Sequence, residues 1–154
     1  MRDPEDEDVH LMSRTSSPSE LLYGPLQMTL IMIYVGLTKF ATPEVGAIIM
    51  SSFIGDAFAA IIGIQYGRYT YKVPLGGTKS IEGNIGCILG TILGIRFYLY
   101  VLGIEKMELK MLLTYGVVST VSEATAVKDW DNLVIFGAME LAVKYMHQVI
   151  IKEV

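Results

Sequence analysis

The sequence predicts an all-α fold, a polytopic membrane bundle of about five transmembrane helices. Three observations carry this. Of 154 residues, 52% are hydrophobic and only 18% charged, against ~25% charged in ordinary soluble domains. The apolar residues fall into five long runs that show no strand-like alternation. The net charge of −4 is confined to one end. Residues 1–20 hold six acidic groups (Asp3, Glu5, Asp6, Glu7, Asp8, Glu20) against Arg2 and Arg14, and residues 21–154 balance ten against ten.

The first element is that acidic, Ser- and Pro-bearing segment, expected over 1–20 as a solvated, disordered tail. It has neither the basic start and apolar core of a secretory signal nor the basic character of a mitochondrial presequence. The membrane domain then runs from 21 to 154. Its apolar runs are Leu21–Phe40, Glu44–Tyr66, Asn84–Gly103, Met111–Val127 and Leu133–Ile151. Each is about 17–23 residues, or ~25–34 Å as helix, close to the ~30 Å of a bilayer's hydrocarbon. In lipid, only helices and closed barrels satisfy their backbone. Five consecutive runs leave no polar face for water, which argues against a soluble bundle. Basic residues divide six against five between the two sides, so orientation is not set by them. The dense basic stretch 68–83 is placed weakly in the cytosol.

Several function classes are excluded. The one cysteine, Cys87, cannot form an internal disulfide, and His10 and His147 do not make a zinc site. No basic stripe exists, so nucleic acid is not a partner. Ser51, Gly55, Ala59, Gly63 and Gly67 recur at every fourth position, as do Gly86, Gly90 and Gly94. Such stripes let membrane helices approach closely and read as packing.

The polar groups inside the apolar runs carry the chemistry. Asp56 lies mid-run, where a carboxylate costs at least ~2.5–3.5 kcal/mol and so faces an interior or a cavity. It reads as a metal ligand, a proton site, or a buried hydrogen-bonded acid serving packing. The stretch Tyr71–Asn84 holds Gly76, Gly77, Thr78, Lys79 and Ser80 just before a helix. Backbone amides freed by the glycines, a lysine point charge and a helix N-terminus together suit a phosphate. Val73 and Thr78 stand where a Walker A loop needs glycine, and a solvated connector is the plain alternative. A metal-holding carboxylate and a phosphate cradle are the parts phosphoryl transfer requires. Glu123 ends the fourth run, and Asp131 and Asn132 open the fifth; helix capping explains such residues equally well. Glu140 and Lys144 are four apart and read as a structural pair.

These residues also resemble a family. Gly55-Asp56 with Ala60, Gly63, Tyr66 and Gly67, followed by Lys79-Ser80-Ile81-Glu82-Gly83, is similar to the CTP-dependent lipid kinases of phytol, farnesol, dolichol and diacylglycerol. These kinases belong to the phosphatidate cytidylyltransferase-like superfamily. Glu20-Leu21-Leu22-Tyr23-Gly24-Pro25-Leu26 resembles an E-L-L-x-G-P-L stretch of the phytol- and diacylglycerol-kinase branch, and Glu123 with Asp131-Asn132-Leu133 resembles its E…D-N-L ending. The H-G-G…D-R signature of the synthase branch is not present. The resemblance implies phosphoryl transfer from CTP to a lipid alcohol, with Mg²⁺ as cofactor and the bilayer as a partner. Asp56, Lys79 and Glu123 are then catalytic. Gly63, Gly76, Gly77, Lys79, Ser80, Glu82, Gly83 and Asn132 bind nucleotide, and Asp56, Glu82 and Asp131 hold metal. It also implies a multi-pass location in the endoplasmic reticulum or plastid envelope. Family members carry further N-terminal helices and a basic segment before the E-L-L-x-G-P-L stretch, and the chain is expected to lack these. A CDP-lipid-forming cytidylyltransferase and a truncated non-catalytic membrane protein are the alternatives.

Overall fold

A computed structural model describes residues 18–73, 77–104, 107–127 and 130–153. Five helices and one hairpin follow in the order α1 (Pro18–Thr38), α2 (Pro43–Tyr66), β1 (Thr70–Val73), β2 (Gly77–Ser80), α3 (Ile81–Val101), α4 (Leu109–Thr125) and α5 (Asp131–Glu153). The five apolar runs thus become the five helices, with ends displaced by a few residues. Helix α1 starts at Pro18, so the last three residues of the expected tail are helical, and the rest of that tail lies outside the described residues.

The stretch read as a connector departs from the all-helical expectation. It folds into an antiparallel hairpin with Thr70 opposite Ser80, Tyr71 opposite Lys79, Lys72 opposite Thr78 and Val73 opposite Gly77. Gly77 takes a φ of 82°, a left-handed conformation that costs other residues steric strain. Ser80 closes β2 and caps α3, its hydroxyl accepting from the Gly83 N–H at 3.0 Å. Strand and helix therefore share one residue, which fixes the direction in which Lys79 leaves the hairpin.

Helices α2 and α3 form the centre of the bundle. They run antiparallel, with Ser51 against Gly94, Gly55 against Gly90 and Gly63 against Gly83. A methyl group on Gly90 would lie 3.1 Å from the Gly55 Cα, and one on Gly86 would lie 3.0 Å from the Phe58 carbonyl oxygen. The stripes of small residues are thus contact lines, as their spacing predicts. Gly116 brings α4 against α3 at Ile88, where a methyl would lie 3.4 Å from the Ile88 carbonyl oxygen.

The interior holds polar groups beside its apolar core, while large apolar side chains face outward. Ser51, Ser52, Thr91, Ser119, Thr120, Ser122, Glu123 and Glu140 are buried. Apolar stripes at every fourth position point outward: Ile81, Ile85, Leu89, Leu93 and Phe97 on α3, and Leu109, Leu113, Val117 and Val121 on α4. Large exposed apolar surfaces mark contact with a partner or a membrane. By length and composition α2 (Glu44–Tyr66) and α3 are apolar enough to cross a membrane, and the apolar part of α1, Leu22–Thr38, is shorter. The hydrophobic core (Val35, Ile49, Phe53, Ile95, Leu99, Leu112 and Tyr115 among its members) gathers chiefly in the half away from the hairpin. The hairpin half is left to polar groups.

Candidate active site

The hairpin, the end of α4 and the start of α5 meet at one end of the bundle. From β2, Lys79 reaches across to α4, where its Nζ forms an ion pair with Glu123 Oε1, 44 residues further along the chain. Glu123 is 4% exposed and Lys79 is half-buried. A carboxylate this buried needs a charged partner, because neither charge is otherwise solvated.

The rest of the hairpin is pinned around this pair. Both carboxylate oxygens of Glu82 accept from the Tyr69 N–H at 3.3 Å. The Asn84 side-chain amide donates to the Tyr71 hydroxyl at 2.7 Å. Thr120 on α4 donates to the Gly116 carbonyl at 2.8 Å and lies 3.5 Å from the Asn84 carbonyl. One turn deeper, Cys87 Sγ is 3.7 Å from Ser119 Oγ. The Cys87 thiol is within electrostatic reach of both Glu123 on α4 and Asp56 on α2. Asp56 is half-buried. Its neighbour Gly55 packs so closely that a methyl there would lie 2.8 Å from the Cys87 carbonyl oxygen. Asp56 lies on α2 and Glu123 on α4, the two helices that pack against α3.

Asp131 and Asn132 open α5 at this same end. Asp131 Oδ1 accepts from the Asn132 N–H at 3.1 Å, and Asn132 Nδ2 donates to the Gly24 carbonyl at 3.5 Å. Asn132 thus ties the α5 start to the Gly24-Pro25 stretch of α1. The two ends of the E-L-L-x-G-P-L and D-N-L pattern, more than a hundred residues apart, are in contact.

The expected residues do not all converge. Gly76 lies outside the described residues, and Gly77 forms the exposed turn. Gly63 and Gly83, read as nucleotide-loop glycines, lie in the α2–α3 crossing: a methyl on Gly83 would sit 3.4 Å from Gly63 Cα, and one on Gly63 would sit 3.2 Å from Ser80 Oγ. Among the described residues no group of three or more His, Cys, Asp or Glu side chains gathers to hold a metal. The set Asp56, Glu82 and Asp131 is therefore not a ready-made cage. Glu82 is committed to the Tyr69 amide and Asp131 to the first turn of α5.

A second buried pair went unread in the sequence. Lys39, just past α1, donates to Glu140 Oε1 at 2.6 Å, while Lys144, its expected partner, lies 3.6 Å away with a largely exposed side chain. Lys39 and Glu140 are 101 residues apart, and no local spacing announces them.

Curated relatives match more than half of this chain. A probable phytol kinase 1, chloroplastic, of Glycine max is 34% identical over 104 residues, covering 65% of this chain and 34% of the relative. A probable phytol kinase, chloroplastic, of Zea mays is 33% identical over 94 residues, 60% of this chain and 30% of the relative. A probable phytol kinase 1, chloroplastic, of Oryza sativa subsp. japonica is 31% identical over 144 residues, 87% of this chain and 45% of the relative. These likenesses support a lipid-kinase family. The chain spans between about a third and under a half of the length of these relatives. No protein-family model and no solved structure matches it.

Proposed function

We propose that this protein is a multi-pass membrane kinase that transfers the γ-phosphoryl group of CTP to a phytol-type lipid alcohol, in a plastid membrane. The observation that carries this reading is the Lys79–Glu123 pair. It joins a phosphate-suited cation at a helix N-terminus to a buried carboxylate, at the polar end of a bundle with an apolar exterior. The names of the curated relatives support the acceptor class and the compartment. The outward apolar stripes of α1, α3 and α4 support embedding of the bundle.

Lys79 would meet the β- and γ-phosphates beside the start of α3, where the helix dipole favours an anion, while the Gly83 and Ile81 N–H groups stay on Ser80 Oγ and the Tyr69 carbonyl. Asp56 is the residue that would hold Mg²⁺. A magnesium ion delivered on nucleotide phosphates needs only one or two carboxylates, a number that Asp56 can begin to supply. When bound, it supplies charge neutralisation on the phosphates. In the transfer, the alcohol oxygen bonds to the γ-phosphorus and its proton passes to Glu123. The bond from that phosphorus to the bridging oxygen breaks, and its electron pair leaves with CDP. Positioning and electrostatics supply most of the rate.

The test is transfer of label from γ-labelled CTP in the presence of Mg²⁺, by the chain in lipid nanodiscs, to phytol, farnesol, dolichol and diacylglycerol. Labelled phytyl phosphate with release of CDP supports the reading, as does its loss in Asp56→Asn and Lys79→Gln. Absence of labelled lipid with every acceptor overturns it, and pyrophosphate release from a lipid phosphate would mark nucleotidyl transfer instead.

A further inference from the structure

Resting on the kinase reading above, we infer that the Lys79–Glu123 ion pair couples the two substrates, so that nucleotide and lipid alcohol each bind more tightly when the other is present. The argument starts from burial. The Glu123 side chain is only 5% exposed and that of Lys79 20%. The ammonium carries one charge, and the several negative charges of a triphosphate compete with Glu123 for it. If Lys79 turns to the phosphates, Glu123 is left charged in an interior that water does not reach, and an uncompensated buried carboxylate is strongly unfavourable.

Ser119 Oγ lies 3.7 Å from Cys87 Sγ, and the other α4 hydroxyls near Glu123 bond to backbone carbonyls. Thr120 donates to the Gly116 carbonyl, Ser122 to the Val118 carbonyl and Thr125 to the Val121 carbonyl. These hydroxyls are committed to their own helix. The donor that can succeed Lys79 is the O–H of the acceptor alcohol, the same O–H whose proton Glu123 takes during transfer. Nucleotide binding thus vacates the position that the alcohol fills, and alcohol binding removes the cost of drawing Lys79 away. Each ligand relieves what the other imposes, and thermodynamic linkage makes the effect reciprocal. The arrangement also keeps Glu123 masked by Lys79 until a triphosphate is in place, so reaction proceeds through a complex of protein with both substrates.

The coupling is measured on the full chain in nanodiscs, as the affinity for the Mg²⁺ complex of β,γ-methylene CTP, which cannot transfer its γ-phosphoryl. Saturating phytol tightens that affinity at least about 5-fold, within the range of 5- to 150-fold seen for coupled sites. In Glu123→Gln the analogue binds more tightly than in wild type without phytol, and phytol has no further effect. Glu123→Asp, which keeps the charge on a shorter arm, gives an intermediate coupling and serves if Glu123→Gln does not fold. Wild-type protein that phosphorylates phytol but binds the analogue equally with and without it overturns the coupling and leaves the kinase reading intact. Equal coupling in wild type and Glu123→Gln overturns the role of the pair. Failure of wild type to phosphorylate any alcohol removes the kinase reading, and the inference falls with it.

Discussion

Gly83→Ala tests how tightly the site depends on the central helix pair. A methyl at position 83 would lie 3.0 Å from the Ala59 carbonyl oxygen, 3.0 Å from Ser80 Oγ and 3.4 Å from Gly63 Cα. The first of these is backbone and cannot rotate away. Ordinary contact begins near 3.4 Å, so α2 and α3 must part by about 0.4 Å at this level. A gap of that order forfeits part of the dispersion attraction along the seam, and overpacking of this kind costs about 1–3 kcal/mol. Lys79 lies four residues upstream, so the same displacement carries it from Glu123. A full 1 Å misplacement costs ~100-fold in rate, and about a tenfold loss of lipid phosphorylation is expected here. The comparison is Gly137→Ala on α5, where a methyl meets nothing within 4 Å and a helical Gly→Ala change is worth about +0.5–1 kcal/mol. Both variants are followed by circular dichroism during denaturation in nanodiscs, with lipid phosphorylation measured in parallel. A Gly83→Ala protein as stable and active as Gly137→Ala would refute the close-packing argument.

Other outcomes follow from the same geometry. Lys79→Met leaves Glu123 buried without its partner and destabilises by about 3–5 kcal/mol, whereas the double change Lys79→Met/Glu123→Met recovers most of the loss, as a double-mutant cycle will show. Ser80→Ala removes the α3 cap and costs about 1 kcal/mol in the same denaturation assay, with activity reduced because β2 and α3 share this residue. Glu140→Ala lowers the unfolding midpoint far more than Lys144→Ala, since Lys39 holds Glu140 at 2.6 Å while Lys144 lies 3.6 Å away and an exposed pair is worth ~0–1 kcal/mol.

How much of this was legible beforehand depends on the range of the interaction. The five helices were, because an apolar run of bilayer length has few other solutions in lipid. The glycine stripes were too: a four-residue spacing of small side chains has a direct geometric meaning, and Gly55, Gly86, Gly90 and Gly94 all lie on the contact line, whereas Gly83, read as a nucleotide-loop glycine, joins it unannounced. The hairpin was obscured by its composition. Gly76-Gly77 and Lys79-Ser80 read as a phosphate-binding turn, although Thr70, Tyr71 and Val73, opposite Ser80, Lys79 and Gly77, are β-compatible residues. Lys79 and Glu123 were each suspected, but their pairing was not, and Lys39 with Glu140 was missed altogether. Such partners are set by helix order and depth, which no local window records. The same limit explains the metal set: Glu82 matched a motif, yet its carboxylate is spent on the Tyr69 amide three residues beyond α2.

The shortness of the link between α2 and α3 has a consequence for how such a protein is made. Only the stretch from Gly67 to Ser80 separates two helices whose small residues interlock from Ser51 against Gly94 to Gly63 against Gly83. A short link costs little entropy to close, so the two helices pair early, with Lys79 held at the edge of the pair. Glu123 lies 44 residues further along the chain, and α4 docks onto a surface that already bears the opposite charge.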